Sequence, residues 1–204
     1  MKNRILISTI LTAFKEEKTI GRAINRIKSQ LPKNSEILVI APDEATLSLA
    51  KRFAKKDRRI KIVKDPSKGK PTALNIGFQK AKGRIIILTD GDVFVGKGSI
   101  KFLLEHFKDP KVGAVSGRVI YLISKNSIFY EWAKLSEKVF DKMRKLQDKN
   151  KELWHPTGYL YAIRNKLIKK IPADALSDDA VIGYLIKAKG YLIKYEPRAK
   201  VYVK

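Results

Sequence analysis

Along the first half of the chain, apolar runs of strand length alternate with stretches whose apolar residues recur at helical spacing. Ile5–Leu11 is rich in β-branched residues and reads as a buried strand. From Thr19 to Gln30, Ile20, Ala23, Ile24 and Ile27 share one helical face, and Pro32 closes the segment. Glu36–Ala41 reads as a second strand, Ala45–Lys56 as a second helix and Ile60–Val63 as a short third strand. A helix is predicted over Thr72–Lys82, opened by Pro71 and stopped at Gly83. Arg84–Thr89 is the most apolar strand and runs straight into Asp90-Gly91-Asp92. Strand–helix repeats feeding a continuously apolar strand predict an α/β fold, its parallel sheet covered on both faces. In such a sheet, functional groups gather beyond the carboxyl ends of the strands. The acidic cluster lies at such an end.

After Asp92 the pattern loosens. Ser99–Phe107 reads as a helix, Gly113–Leu122 as a strand and Ser127–Lys149 as a long basic helix. The loop Trp154–Gly158 leads to a strand at Tyr159–Ile163; Ser177-Asp178-Asp179 then opens a helix to Lys189, before a final strand pair around Gly190–Val203. No repeat, low-complexity tract or linker divides the chain, so one domain over 1–204 is expected. In the long helix Ile128, Trp132, Leu135, Val139, Met143 and Leu146 fall on one face, with Lys134, Lys138, Lys142, Lys145 and Lys149 elsewhere. That amphipathic pattern favours a domain helix with a solvated basic face. The alternative is docking on an anionic lipid surface.

Charge changes the picture next. The 204 residues carry 44 Lys+Arg against 20 Asp+Glu, a formal net charge of +24, and no cysteine. The excess asks for an anionic partner: nucleic acid, a lipid surface or a phosphorylated substrate. With 44% apolar residues the chain is no disordered polyelectrolyte. Without cysteine it has no disulfide, cysteine zinc site or thiol nucleophile, which fits a reducing compartment. The apolar start mimics a signal peptide but lacks a small-x-small cleavage site, and no apolar run reaches the roughly 18–20 residues of a spanning helix.

The few acids carry the candidate chemistry. Asp90 and Asp92, one residue apart on a glycine-freed turn, can both face one hard cation such as Mg²⁺ or Mn²⁺. By turn statistics alone, Asp-Gly is simply a turn. Ser177 or Asp178 can cap the following helix, and an aspartate there can also serve as a general base. The loop Asp65–Thr72, with Lys68, Gly69 and Lys70 before a helix, reads equally as an anion site or a solvated basic turn. It lacks P-loop spacing, and no Gly-x-Gly-x-x-Gly follows the first strand, which argues against a dinucleotide-binding enzyme.

Taken in order, four segments resemble an inverting family 2 glycosyltransferase of the GT-A fold: 7–22, 68–77, 83–93 and 176–191. They are similar to the family's opening strand with its Asn-Glu-Glu turn, its Gly-Lys…Ala-Leu-Asn-x-Gly segment, its Asp-x-Asp strand and its Glu-Asp helix start. The resemblance covers nearly the whole chain. It implies a Rossmann-like three-layer α/β/α sandwich with a mostly parallel sheet, nucleotide-sugar binding in 1–95 and acceptor binding in 96–204. It also implies that Ala13, Phe14 and Glu16 line a nucleoside pocket, with Lys70 on the donor side. Asp90 would meet ribose or metal, Asp92 would hold Mg²⁺ or Mn²⁺ and the diphosphate, and Asp179 would be the general base. Asp178, Trp154, His155 and Gly158 are expected on the acceptor side.

The chain departs from the pattern in places. Thr12 and Lys15 replace the family's Pro and Asn, and Phe14 keeps a ring but loses a hydroxyl. Ala41-Pro42-Asp43-Glu44 stands where Asp-Asp-Gly-Ser is common, which moves the base-reading carboxylate to Asp43 or removes it. A UDP-sugar is the favoured donor, a GDP-sugar the second, and the acceptor is a saccharide or a lipid-linked group. The expected location is cytoplasmic, with peripheral docking at the inner face of the cell membrane as an option. The chain stops about where processive synthases continue, implying a short non-processive enzyme or an excised catalytic domain. A haloacid-dehalogenase-like phosphatase fits less well, because about 89 residues precede Asp90. A nucleic-acid binder fits less well too, since Lys and Arg divide evenly between the two halves.

Overall fold

The computed structural model describes residues 6–204. In chain order the elements are β1 (Ile7–Thr12), α1 (Ile20–Lys28), β2 (Ser35–Ala41), α2 (Glu44–Ala54), β3 (Ile60–Lys64), α3 (Lys70–Lys80), β4 (Ile85–Asp90) and β5 (Phe94–Val95). There follow α4 (Ser99–Glu105) with a 3₁₀ turn at His106–Lys108, β6 (Val112–Tyr121), α5 (Tyr130–Lys149), β7 (Leu160–Arg164), α6 (Asp178–Ala188) and β8 (Leu192–Val203). The strand start expected at Ile5 lies outside the described residues.

All eight strands join one sheet in the order β3-β2-β1-β4-β7-β6-β8-β5. β1, β2, β3 and β4 run parallel; β7 is antiparallel to both β4 and β6, β6 runs parallel to β8, and β5 returns antiparallel to β8. The mostly parallel three-layer sandwich is therefore present. Alternation along each strand feeds two cores. Leu11 and Ile87 face the apolar sides of α1, α2 and α4, while Ile10 and Leu88 face α3 and α6. β1 and β2 are buried along their whole length, which is why they read as unbroken apolar runs.

The register places the chemistry. Thr12 is paired with Ile40 on one side and Asp90 on the other, so the carboxyl ends of β1, β2 and β4 finish level at one edge. At the amino end, buried Glu36 accepts bonds from Ser8 Oγ and Lys61 Nζ and from the Lys82 N–H, tying β1, β2 and the α3–β4 turn together. Gly83 fits there because a Cβ would lie 2.4 Å from the Ser8 backbone nitrogen.

Two expectations change, and one strand is new. The final strand pair is a single strand, β8, which pairs with β6 on one edge and β5 on the other. β5 is too short to leave a period in the sequence. The long helix departs most. Its polar face, not its apolar face, is packed on the domain, and Glu137 is the buried residue of α5. Glu137 accepts from the Tyr121 N–H, Asp141 accepts from the Tyr195 hydroxyl and pairs with Arg118, and Asp148 pairs with Lys194. Partners presented by β6 and β8 thus outbid the hydrophobic pattern in orienting the helix. Among the described residues no helix is long and apolar enough to cross a membrane.

Candidate active site

A cavity of about 450 Å³ opens at the carboxyl edge of the sheet, lined from β1 by Thr12, Ala13, Phe14 and Glu16. Pro42 and Asp65 close it behind β2 and β3, Gly69, Lys70 and Ala73 border it from the start of α3, and Asp90, Gly91 and Asp92 form the side under β4. Ala13, Phe14, Glu16, Lys70, Asp90 and Asp92, named from the sequence, therefore meet in one place. Gly91 is required there, since a Cβ would lie 2.8 Å from that of Ala13.

Asp90 is the most constrained member. One carboxylate oxygen accepts from Thr12 Oγ1 at 2.7 Å and the other from Lys70 Nζ at 2.9 Å. Burial lifts its carboxyl above the usual range, opposed by the adjacent lysine charge. At Lys70 burial pulls the other way, but the charges of Asp90, Asp178 and Asp179 outweigh it and hold the ammonium protonated. Glu16 is raised chiefly by burial, with Asp92 and Asp90 adding repulsion against a bond donated by Thr19. Asp92 is exposed at the rim, and among the described residues it makes no ion pair.

Asp43 does not line this cavity. It caps α2, its oxygens accepting the Thr46 and Lys15 N–H groups, and these bonds hold its carboxyl below the usual range despite some burial. The pocket carboxylate at that end is Asp65, buried just after β3, with Oδ1 accepting the Ser67 N–H. Sequence reading passed over it because a single aspartate before a proline looks like any turn.

A second cavity, about 230 Å³, lies between β6, α5 and the start of α6 and is lined by Asp179, Gly158, Tyr121, Arg118, Arg144 and Tyr195 among others. Asp179 sits beside Gly158, where a Cβ would lie 3.3 Å from its Oδ2. Its Oδ1 accepts from Ser177 Oγ and the Ala180 N–H, so Ser177 orients the acid without making a side-chain cap bond of its own. Lys70 joins the two cavities: its Nζ lies 3.5 Å from the Gly158 carbonyl and feels both Asp178 and Asp179. Asp178 is raised by burial, and its Oδ2 has no hydrogen-bond partner; the buried Tyr161 hydroxyl is likewise unpartnered.

Of the remaining acceptor-side expectations, Gly158 lines this cavity, but Trp154 and His155 do not. Trp154 projects outward with Lys187 Nζ 5.5 Å from its ring centre, and His155 Nδ1 lies 2.9 Å from the Pro156 carbonyl oxygen. Arg118, Arg144 and Tyr195 left no sequence signal, because three elements distant in the chain bring them together. Away from both cavities, His106 pairs with Glu196 at 2.9 Å.

A family model described as "Glycosyl transferase family 2" matches residues 8–172, a span that includes every residue of the larger cavity. The chain belongs to that family. α6 and β8 lie beyond the matched span. This family 2 chain is 24% identical over 204 residues to the poly-beta-1,6-N-acetyl-D-glucosamine synthase of Staphylococcus aureus strain COL, covering 95% of this chain and 48% of that protein. The Staphylococcus epidermidis protein of the same name is 24% identical over 201 residues with the same coverage. The chain thus spans about half the length of the curated relatives it matches. Among solved structures, S. aureus TarS 1–349 superposes with a TM-score of 0.69 at 18% identity, covering 98% of this chain and 60% of that one. TarS 1–349 in complex with UDP-GlcNAc gives 0.68 at 19% identity, covering 97% and 58%. These neighbours share the GT-A fold, which the sheet order here reproduces. Family membership displaces the phosphatase and nucleic-acid readings.

Proposed function

We propose that this family 2 domain transfers a sugar from a nucleoside-diphosphate sugar, a UDP-sugar first among the candidates, to an acceptor hydroxyl of a saccharide or lipid-linked group. One observation carries the reading: Lys70 stands between Asp90 in the larger cavity and Asp179 beside the smaller one. A donor in the first cavity and an acceptor in the second would meet at that lysine. The TarS complex with UDP-GlcNAc supports a UDP-sugar as the donor to try first.

In the proposed reaction Asp179 takes the proton from the acceptor hydroxyl. The acceptor oxygen bonds the anomeric carbon while the bond from that carbon to the diphosphate oxygen breaks, and the electron pair leaves with the diphosphate, inverting the centre. Lys70 supplies a preorganised positive charge near the departing group. Phe14 offers a ring face to the base, and Asp65, which lines the cavity where Asp43 does not, takes the base-reading role.

Among the described residues no group of three or more His, Cys, Asp or Glu converges on a metal site. Both oxygens of Asp90 are already bonded to Thr12 and Lys70. Asp92 is open, and one carboxylate completed by diphosphate oxygens suits Mg²⁺ or Mn²⁺. When bound there, the ion would neutralise charge on the leaving diphosphate.

The test is release of nucleoside diphosphate by the purified chain across donors, with Mg²⁺ or Mn²⁺ present. Asp179→Asn should lower turnover about 10²–10⁴-fold while keeping the donor-induced thermal shift. Asp92→Ala should lose that shift with the fold intact. Full turnover in Asp179→Asn would sink the assignment of the base.

A further inference from the structure

The face of α5 opposite the domain is unpartnered. Trp132, Leu135, Val139, Met143 and Leu146 project from it, with Trp132 70%, Leu135 54% and Leu146 60% exposed. At about 100° per residue, those from Trp132 onward fall within a stripe roughly 80° wide, centred opposite Glu137, Asp141, Arg144 and Asp148. The latter group makes the contacts to β6 and β8. So the helix is held down by ion pairs and polar bonds and turns its apolar stripe outward, the reverse of a helix that serves the core.

One flank of the stripe is basic. Lys138, Lys142, Lys145 and Lys149 form a row along it, and among the described residues only Lys145 has an ion-pair partner, Asp141 at 2.7 Å. Glu131 is the one acid on that flank, at its amino-terminal end. An apolar stripe bordered by unpaired lysines, on a chain of net charge +24, is complementary to one kind of surface: an apolar interior beneath anionic headgroups.

We propose that α5 docks the protein on an anionic bilayer, with Trp132, Leu135, Val139 and Leu146 in the acyl boundary and Lys138, Lys142 and Lys149 among the headgroups. This inference is independent of the reaction proposed above. It has a geometric consequence for it, however. Glu137, Asp141 and Arg144, which line the smaller cavity, lie on the opposite side of the same helix, so that cavity stands about one helix diameter, roughly 10 Å, from the lipid.

The probe is a vesicle of phosphatidylcholine with phosphatidylglycerol, against phosphatidylcholine alone, sedimented with the whole chain. The expected result is pelleting with the anionic vesicles only, weakened by salt, with a blue shift of Trp132 emission read in a Trp154→Phe background. Leu135→Gln with Val139→Gln removes apolar area and leaves the charge unchanged. Because both side chains are exposed, the fold should hold, and half-binding should need at least about ten-fold more anionic lipid. Lys138→Gln with Lys142→Gln should erase the preference for anionic vesicles.

The proposal is overturned if the chain stays in the supernatant with every vesicle. It is overturned equally if the double Gln variant of the stripe pellets like the parent, for then net charge alone attracts the chain. A dimer in light scattering that the same stripe variant dissolves would also overturn it, assigning the face to a second copy.

Discussion

Lys70 shows how much one side chain decides. It neutralises a carboxylate that burial would otherwise drive toward its protonated form, and it reaches the Gly158 carbonyl across the boundary between the cavities. Lys70→Met should destabilise the fold by about 1–3 kcal/mol, because Asp90 is left buried without its cation. Adding Asp90→Asn should recover part of that loss, and denaturant titrations of the four forms give the coupling energy. Glu196 makes a second residue-scale case, with a sign that can be worked out. Burial would raise it, but bonds from Arg198 and His106 outweigh that and bring it from 4.5 down to about 2. A depressed acid stabilises the folded state above its unfolded value, and the stability is lost as pH falls through the folded value. Glu196→Gln should therefore destabilise at pH 7 by roughly 1–2 kcal/mol, a modest figure because the Arg198 partner is well exposed and screened. Parent and variant should converge between pH 4.5 and about 2, followed by thermal unfolding. A gap that persists at the acid end would refute the ion-pair account.

Elements set which residues can meet. α6 carries Asp179 on its first turn, and Gly183 one turn later lets the loop before β7 cross close against it. A Cβ at Gly183 would lie 2.4 Å from the Trp154 carbonyl oxygen and 2.7 Å from His155 Cα. Gly183→Ala should therefore cost about 1–3 kcal/mol and lower turnover by displacing Gly158 from Asp179, measurable in one preparation by thermal melting and product release. α3 illustrates an expectation that was nearly complete: Pro71 announced the start, and the helix begins two residues earlier than Thr72 because Gly69, with φ of 87°, occupies the N-cap. α5 illustrates the reverse. Its heptad-like apolar spacing is plain in the sequence, yet the spacing says only that the residues share a face, and not which way that face is turned.

Over the whole molecule the excess of cations is a matter of surface. Its 44 Lys+Arg against 20 Asp+Glu leave +24, and the larger cavity absorbs only one of them, Lys70, into its lining. Such a charge repels itself in the compact state. Raising ionic strength from about 0.01 to 0.15 M shortens the Debye length from roughly 30 to 8 Å, so the melting temperature should rise by a few degrees, about 2–4 °C per kcal/mol relieved. A flat or falling melting temperature over that range would show that the charges are already balanced by local pairing.

The strand–helix alternation of the first half was legible because each element satisfies its own period: buried strands give continuous apolar runs, and α1 shows its face at every third or fourth residue. Asp90 and Asp92 were legible for the same reason, being local to one strand end. What the tertiary structure alone decided is everything that joins distant segments. Asp65 replaced Asp43 in the pocket because α2 claimed Asp43 as its cap. Arg118 and Tyr195 became neighbours because β6 and β8 pair, and α5, bonded to both strands, brings Arg144 to them. The outward turn of α5 was set by four polar contacts whose partners lie up to 54 residues away. Period and composition are properties of neighbours along the chain, whereas orientation and convergence depend on which partners the sheet order supplies.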